Sequence, residues 1–228
     1  MQDTAHKGRL ATTTGAQPCS SLTDEAYAAL EERIVTLEMT PGSDVSEQAL
    51  CQEIGLGRTP VREALQRLAR EGLVAIMPRK GIRVTETDPI RQLLVLEVRR
   101  EVERLLSRTA AARASEDQRA ALREIADGME NAAETRDDRA FMRLDRAMNL
   151  LVISAAHNEY AAGAMRLING QSRRFWYQHY RQAADLPLCA RLHAAQARAI
   201  AAGNEVAAAA ELDRLIDYTE AFTRATAR

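Results

Sequence analysis

A three-residue connection, Gly55-Leu56-Gly57, limits the fold of this chain more than any other feature. It separates two short amphipathic patterns, one that Ser46 caps and that ends at Ile54, and one over about 58–71. Two helices joined by a short glycine-containing turn are typical of a helix-turn-helix. The apolar face of the second helix comprises Val61, Ala64, Leu65 and Leu68.

The flanking segments complete a small domain. Thr23 or Asp24 can cap an earlier helix, which carries apolar residues at helical spacing and which the Pro41-Gly42 pair stops. After the third helix the period changes to two short β-prone runs on either side of a basic tip at 77–81. These runs are 73–76 and 82–85. Three helices followed by a basic hairpin predict a winged helix-turn-helix.

Beyond Asp88-Pro89, which we take as the hinge between two domains, helical patterns continue and no strand pattern appears. Six helices are predicted, at 89–113, 116–134, 137–156, 158–181, 187–202 and 204–226. The fold class is therefore mainly α, with an N-terminal winged helix-turn-helix and a C-terminal all-α six-helix bundle. The predicted domains are a disordered tail at 1–20, the winged helix-turn-helix at 21–87 and the helical domain at 88–228.

Composition is that of a globular soluble protein, since hydrophobic residues make up 46% of the chain and charged residues 28%. The longest apolar stretch is too short to cross a bilayer, and residues 1–20 lack the apolar core of a secretory signal. Three widely spaced cysteines, Cys19, Cys51 and Cys189, fit a reducing compartment better than a disulfide framework or a zinc ribbon. These observations predict a cytoplasmic protein with no membrane partner.

Local charge points to nucleic acid although the total charge does not. The formal net charge is −1, but residues 58–83 hold seven basic and two acidic residues. Arg58 and Arg62 lie one turn apart at the start of the third helix, where side chains reach base edges and the helix N-terminus faces phosphate. Thr59 can donate to phosphate, and Pro60 is tolerated in a first turn. The alternative is that these arginines only solvate an exposed helix face, but turn, helix and basic hairpin tip together favour DNA reading.

Residues 21–87 resemble the DNA-binding domain of the GntR family of bacterial transcriptional regulators. The resemblance rests on Tyr27, Leu30, Ile34, Pro41-Gly42, Glu47, Leu50, Ile54-Gly55, 58–65, Leu68, 71–74, Gly81 and Val84. It implies that Arg58, Thr59 and Arg62 contact the major groove or its phosphates. It also implies that Lys80-Gly81, in the wing, enters the minor groove.

Two positions depart from the family pattern. Gly57 stands where Ser is usual and is a weaker helix N-cap. Gln48 stands where Arg is common, which softens one phosphate or base contact. The predicted DNA-contacting residues are Gln48, Arg58, Thr59, Pro60, Arg62, Lys80 and Gly81.

The helical domain resembles FCD, the ligand-binding domain of the FadR-type branch of this family, and its length suggests the shorter, VanR-like variant. In many members an Asp, a His one turn later and two further His on the last two helices hold a divalent metal. Asp145 and His193 match this set, whereas Asn149 and Leu215 stand at the other two positions. The resemblance implies a degraded site for Zn, Ni or Mn at Asp145, Asn149 and His193, or a cavity in which these side chains form hydrogen bonds without metal.

The same domain contains candidate anion-binding residues. Arg99 lies one turn before Glu103 on a largely apolar helix, so its guanidinium points inward and needs an anionic partner, either internal or from an effector. Basic and aromatic residues are mixed over 173–180, which fits core packing or a cavity wall and, less well, single-strand binding. The predicted effector-binding residues are Arg99, Asp145, Asn149, Arg173 and His193.

The resemblance implies a homodimeric regulator, not an enzyme, that binds double-stranded operator DNA with two heads and senses a small anionic effector. Effectors in this family tend to be carboxylates or sugar acids, and most such regulators are repressors that the ligand releases. Two other hypotheses stay open: a constitutive dimeric DNA-binding protein, and a metal-dependent hydrolase that uses Asp145 and His193. Against the hydrolase, the sequence has no glycine-rich phosphate loop, no nucleophile motif and no complete set of metal ligands.

Overall fold

A computed structural model describes residues 21–79 and 81–227. The predicted tail at 1–20, with Cys19, and the predicted DNA contact Lys80 lie outside the described residues. The described part contains nine helices and three short strands. The predicted fold class, mainly α with a winged helix-turn-helix followed by a six-helix bundle, is confirmed.

The winged helix-turn-helix holds the first three helices and all three strands. The helices are α1 (Leu22–Val35), α2 (Glu47–Ile54) and α3 (Arg58–Arg70), and the strands are β1 (Asp44–Val45), β2 (Val74–Met77) and β3 (Gly81–Val84). The strands form one antiparallel sheet in the order β1-β3-β2. Buried apolar residues of α1 and α3, with Leu50, Leu73 and Val84, form one core cluster beneath the sheet. This core fixes the angle between α3 and the hairpin.

Helix α1 begins earlier than the sequence indicates. Ser21 is its N-cap, and its hydroxyl accepts a hydrogen bond from the Asp24 amide at 3.1 Å. Asp24 is the third helical residue, and its carboxylate accepts from the Ser21 amide. The prediction of Thr23 or Asp24 as the cap is therefore wrong, because this reciprocal capping box satisfies two otherwise unpaired amides. The sequence predicted two strands, which are β2 and β3, and missed β1. A strand of only two residues shows no periodic pattern.

The bundle follows the predicted helix boundaries within three residues. Its helices are α4 (Pro89–Arg113), α5 (Glu116–Thr135), α6 (Asp138–Ala155), α7 (Glu159–Ala183), α8 (Leu186–Ala201) and α9 (Glu205–Thr226). Each begins at an Asp, Ser or Asn whose side chain accepts a backbone hydrogen bond. Alanines are abundant in its buried core. No helix in 21–79 or 81–227 is long and apolar enough to cross a membrane.

Helix α7 joins the two domains. Gly170, in the middle of α7, packs directly on Leu73, which has no exposed surface. The neighbouring Gln171 donates to the Glu71 carbonyl oxygen, just beyond the end of α3, at 2.7 Å. Three residues further along, buried Arg174 donates to the Thr85 carbonyl oxygen at 2.8 Å and to its hydroxyl at 3.0 Å. The DNA-binding domain is thus fastened to one face of a bundle helix.

Substitutions of two glycines in α7 test how closely the domains pack. Gly163→Ala is expected to raise the free energy of unfolding by about 0.5–1 kcal/mol, because Ala is the better helix former and meets only the end of the Arg166 side chain. A methyl group on Gly170 would lie 2.8 Å from Leu73 Cδ1. Overpacking of about 1–3 kcal/mol then exceeds the gain in propensity, so Gly170→Ala lowers stability. Urea unfolding measures both, and equal stabilisation by the two substitutions would contradict the close packing.

Candidate DNA-contacting surface and effector cavity

The start of α3 is exposed and carries polar side chains. Arg58 and Thr59 are exposed in its first turn, and Pro60 is partly exposed beside them. The N-cap Gly57 provides no side-chain hydrogen bond to the first amides. These amides therefore stay available to a phosphate oxygen, which the positive end of the helix dipole also favours. Gln48 is exposed near the start of α2.

Arg62 is exposed but held in one orientation. Its Nη2 and Nε donate to the two carboxylate oxygens of Glu47, on α2, at 2.9 and 3.1 Å. The guanidinium side chain is still 62% exposed. The hydrogen bond to Glu47 raises the pKa of Arg62, so it stays cationic. Glu47 therefore positions an arginine whose remaining donors point away from the protein core.

The wing depends on a glycine. Gly81 has φ +94°, a region that other residues avoid, and a Cβ there would approach the Val45 carbonyl oxygen to 3.0 Å. The close pairing of β1 and β3 thus requires Gly at this position. Arg83, on β3, forms a bidentate pair with Asp44 on β1, at 2.7 and 2.8 Å. Arg83 is one of the seven basic residues counted over 58–83, and its charge is paired with that of Asp44.

A cavity that is open to solvent lies between α4, α6, α7, α8 and α9, and the empty space in it and in its mouth is about 660 Å³. All five predicted effector-binding residues lie on its wall. Polar lining residues are Gln92, Arg99, Asp145, Asn149, Asn169, Ser172, Arg173, Tyr177, His193 and Thr219. Apolar lining comes from Phe141, Met142, Phe175, Trp176, Cys189, Leu215 and Phe222. The sequence placed the five on four different helices, and the fold brings them together. Their role in binding stays a prediction.

Asp145 and His193 form an ion pair in this cavity. His193 Nε2 lies 3.2 Å from Asp145 Oδ1, and its Nδ1 lies 2.8 Å from the Cys189 carbonyl oxygen. Burial alone would lower the pKa of His193, but its neighbours Cys189 and Asp145 raise it well above its usual value. Burial raises the pKa of the Cys189 thiol. Both ring nitrogens of His193 face acceptors, the Asp145 carboxylate and the Cys189 carbonyl oxygen, so the geometry fits an imidazolium that donates from both.

This donor set does not fit a tightly held divalent metal. Asn149 is a weak, neutral donor, and it turns its amide NH₂ toward Asp145 Oδ1, at 3.0 Å. Leu215 contributes no donor atom. Within 21–79 and 81–227 no group of three His, Cys, Asp or Glu side chains could hold a metal ion. In this arrangement the polar groups bond to one another.

Arg99 has an internal anionic partner. Its Nε donates to Glu103 Oε1 at 2.5 Å, and its Nη1 donates to the Ser172 hydroxyl at 2.5 Å. That hydroxyl also accepts from Gln92 Nε2 at 2.8 Å. The pair with Glu103 leaves the outer edge of the guanidinium at the cavity wall. Of the two partners left open by the sequence, the internal one is therefore present.

The mixed basic and aromatic stretch of α7 is a cavity wall. Phe175, Trp176 and Tyr177 line the cavity, and Phe222 of α9 packs on Trp176 with ring centroids 4.7 Å apart. The Trp176 indole N–H is buried and has no hydrogen-bond partner in the described chain. Sequence reasoning missed Phe222 and Thr219, because a helical period does not reveal which face of α9 meets the cavity.

Arg173 lies on the same wall and reaches the other domain. Its Nη1 donates to Glu31 Oε1 at 2.7 Å, and its Nη2 lies 3.4 Å from Glu32 Oε2. Arg146, on α6, also pairs with Glu32. Nothing in the sequence indicated these contacts, since Glu31 and Arg173 are 142 positions apart.

Comparisons with known proteins match both parts of the chain. The model of "Bacterial regulatory proteins, gntR family" matches residues 22–84, and that of "FCD domain" matches residues 94–218. An uncharacterized HTH-type regulator from Streptomyces ambofaciens is 45% identical over 67 residues, which span 29% of this chain and 28% of that protein. The HTH-type transcriptional repressor RspR of Escherichia coli is 24% identical over 180 residues, 79% of each chain.

A solved structure described as E. coli McbR/YncC has the same fold. It superposes with a TM-score of 0.80 over 92% of this chain and 100% of that one, at 18% identity. The FCD match alone spans more than half of the 228 residues. The chain therefore belongs to the FCD-domain proteins of the GntR family of bacterial regulatory proteins.

Proposed function

We propose that this protein is a sequence-specific DNA-binding transcriptional regulator whose operator affinity responds to a small organic carboxylate. The observation that carries the proposal is the start of α3. Exposed Arg58 and the exposed, positioned Arg62 flank a helix N-terminus with unoccupied amides, beside a wing. Such a helix fits the major groove, where Arg donates bidentately to guanine.

We further propose that two copies bind one inverted repeat. Support comes from an apolar stripe on α4 whose residues recur at helical spacing and face solvent. It consists of Ile90, Leu94, Val98 and Leu105, with exposed fractions of 43–71%. An exposed stripe of this kind marks an interface. A symmetric dimer places two recognition helices about one helical turn of DNA apart.

The cavity supports an anionic effector. Three cationic side chains, Arg99, Arg173 and His193, line it together with one carboxylate, Asp145. Arg99 and Arg173 also pair with carboxylates that are not part of the lining, Glu103 and Glu31. Aromatic rings of α6, α7 and α9 also line the cavity, and the unpaired Trp176 N–H can donate to an acceptor on the ligand. This combination suits a carboxylate with a flat apolar body better than a polyhydroxylated sugar acid. Most regulators of this family are repressors that leave the operator when the ligand binds, and we propose the same for this protein.

Neither alternative fits as well. A hydrolase that used Asp145 and His193 needs an open base or metal ligand, whereas both nitrogens of His193 already have partners, Asp145 and the Cys189 carbonyl oxygen. We therefore propose that the protein is not an enzyme. The cavity of a constitutive DNA-binding protein would bind no ligand, and the buried Trp176 N–H would then stay unpaired, which is unfavourable.

Arg62→Ala tests DNA reading. We expect specific binding to the selected operator to fall about 10- to 100-fold, because one base contact is lost. Folding is preserved, since the side chain is exposed. Fluorescence anisotropy with operator and scrambled duplexes measures the loss. Arg139→Ala, which removes an exposed charge from the bundle, is the matched control. Unchanged operator affinity in Arg62→Ala would refute the groove contact.

Arg99→Gln tests the anion site with benzoate as the probe. Benzoate at 100 times its dissociation constant stabilises a binding protein by about 2.7 kcal/mol. We expect this thermal stabilisation in the wild type and its loss in Arg99→Gln, with operator binding intact. Arg104→Gln, on the same helix but paired with Asp213 outside the cavity, is the control. If benzoate stabilises Arg99→Gln as much as the wild type, Arg99 is not part of the anion site. If benzoate does not stabilise the wild type, aryl carboxylates are excluded as effectors.

A further inference from the structure

We propose that Arg173 couples the two domains, because the guanidinium that faces the effector cavity is also the one that holds helix α1 of the DNA-binding domain. A carboxylate that binds in the cavity competes with Glu31 for this guanidinium and so loosens α1. The inference rests on the proposed function, since it explains how a ligand in the same cavity would regulate operator binding.

Geometry places Arg173 in both sites. It lines the cavity together with Asp145 and Tyr177. On its other side it donates to Glu31 at 2.7 Å and approaches Glu32 at 3.4 Å. Its side chain is only 13% exposed. No second arginine of the described chain both lines this cavity and pairs with the DNA-binding domain.

Competition follows from the number of donors and charges. A guanidinium pairs best with one carboxylate through two parallel hydrogen bonds. Glu31 and Glu32 already take the terminal nitrogens of Arg173, which also lies near Asp145. A ligand carboxylate that forms a bidentate pair with these two terminal nitrogens therefore competes with the α1 carboxylates for them.

Displacement has a large effect on α1 because Glu31 is buried. Its side chain is 9% exposed, and within 21–79 and 81–227 it has no other hydrogen-bond partner. Removing one member of a buried ion pair leaves an uncompensated charge, which is strongly unfavourable. Glu31 can regain solvation only if α1 moves away from α7.

Movement of α1 carries α3 with it. Tyr27 of α1 donates to Glu71 at 2.8 Å and lies under the Arg67 guanidinium, 3.6 Å from the ring centroid. Thr23 donates to Glu63 of α3 at 2.7 Å. These contacts hold α1 and α3 together, so the recognition helix changes its angle to the bundle.

The other contacts between the domains form a pivot. Gln171 and Arg174 bind backbone atoms just after α3 and after the wing, and neither lines the main cavity. They stay in place when Arg173 changes partner. The head therefore tilts about α7 instead of detaching, and in a dimer this tilt alters the spacing of the two recognition helices.

The test compares Glu31→Gln with Arg146→Gln. Both substitutions weaken an ion pair between the bundle and α1, but Arg146 does not line the cavity. Operator affinity is measured by anisotropy with and without saturating benzoate, and benzoate affinity by calorimetry. In the wild type we expect benzoate to weaken operator binding about tenfold, a typical coupling between linked sites.

Glu31→Gln is expected to bind operator more weakly without ligand, to bind benzoate more tightly, and to lose most of the tenfold effect. Arg146→Gln is expected to keep the tenfold effect of benzoate on operator binding. A wild-type benzoate effect in Glu31→Gln would overturn the coupling, as would benzoate binding that leaves wild-type operator affinity unchanged. Both results leave DNA binding intact, whereas failure of the wild type to bind any duplex specifically would refute the proposed function itself.

Discussion

The buried guanidinium of Arg174 holds the two domains in one arrangement. It is 3% exposed, and its terminal nitrogens donate to the carbonyl oxygens of Leu73 and Thr85 and to the Thr85 hydroxyl, at 2.8–3.3 Å. Burial lowers its pKa to about 10, so it is still charged at neutral pH. A buried charge is tolerated only when it is hydrogen-bonded, and here the bonding groups belong to Leu73 and Thr85, the residues that directly precede and follow the β2–β3 hairpin. The wing is thus fixed to α7 by its backbone.

That attachment gives α7 two roles. Its residues 173, 175, 176 and 177 line the effector cavity, and residues 170, 171, 173 and 174 contact the DNA-binding domain. The two sets lie next to each other on one helix and share Arg173. We propose that a change in the cavity reaches the recognition helix through this one rigid element, without a long chain of intermediate side chains.

Local features were readable from the sequence and distant contacts were not. Helix boundaries followed from Asp, Ser and Asn caps and from Gly and Pro stops, because these act on neighbouring backbone groups. The Ser21 cap was missed because Ser21, Thr23 and Asp24 lie within four residues and each can serve as a cap. Asp145 and His193 were placed in one site by resemblance to a family, whereas Trp176 and Phe222 meet only through the packing of α7 on α9. The pair of Glu31 with Arg173 depends on how two domains dock, for which helical periodicity carries no signal.

Selection of duplexes from a random DNA pool by the purified protein, followed across a salt series, tests the central claim most directly. The account predicts enrichment of an inverted repeat whose half-sites lie about one helical turn apart, with affinity that falls steeply as salt rises. Insertion of half a helical turn between the half-sites should abolish that binding. Failure to enrich any sequence, with and without benzoate, would contradict the assignment of α3 and the wing as a DNA reader.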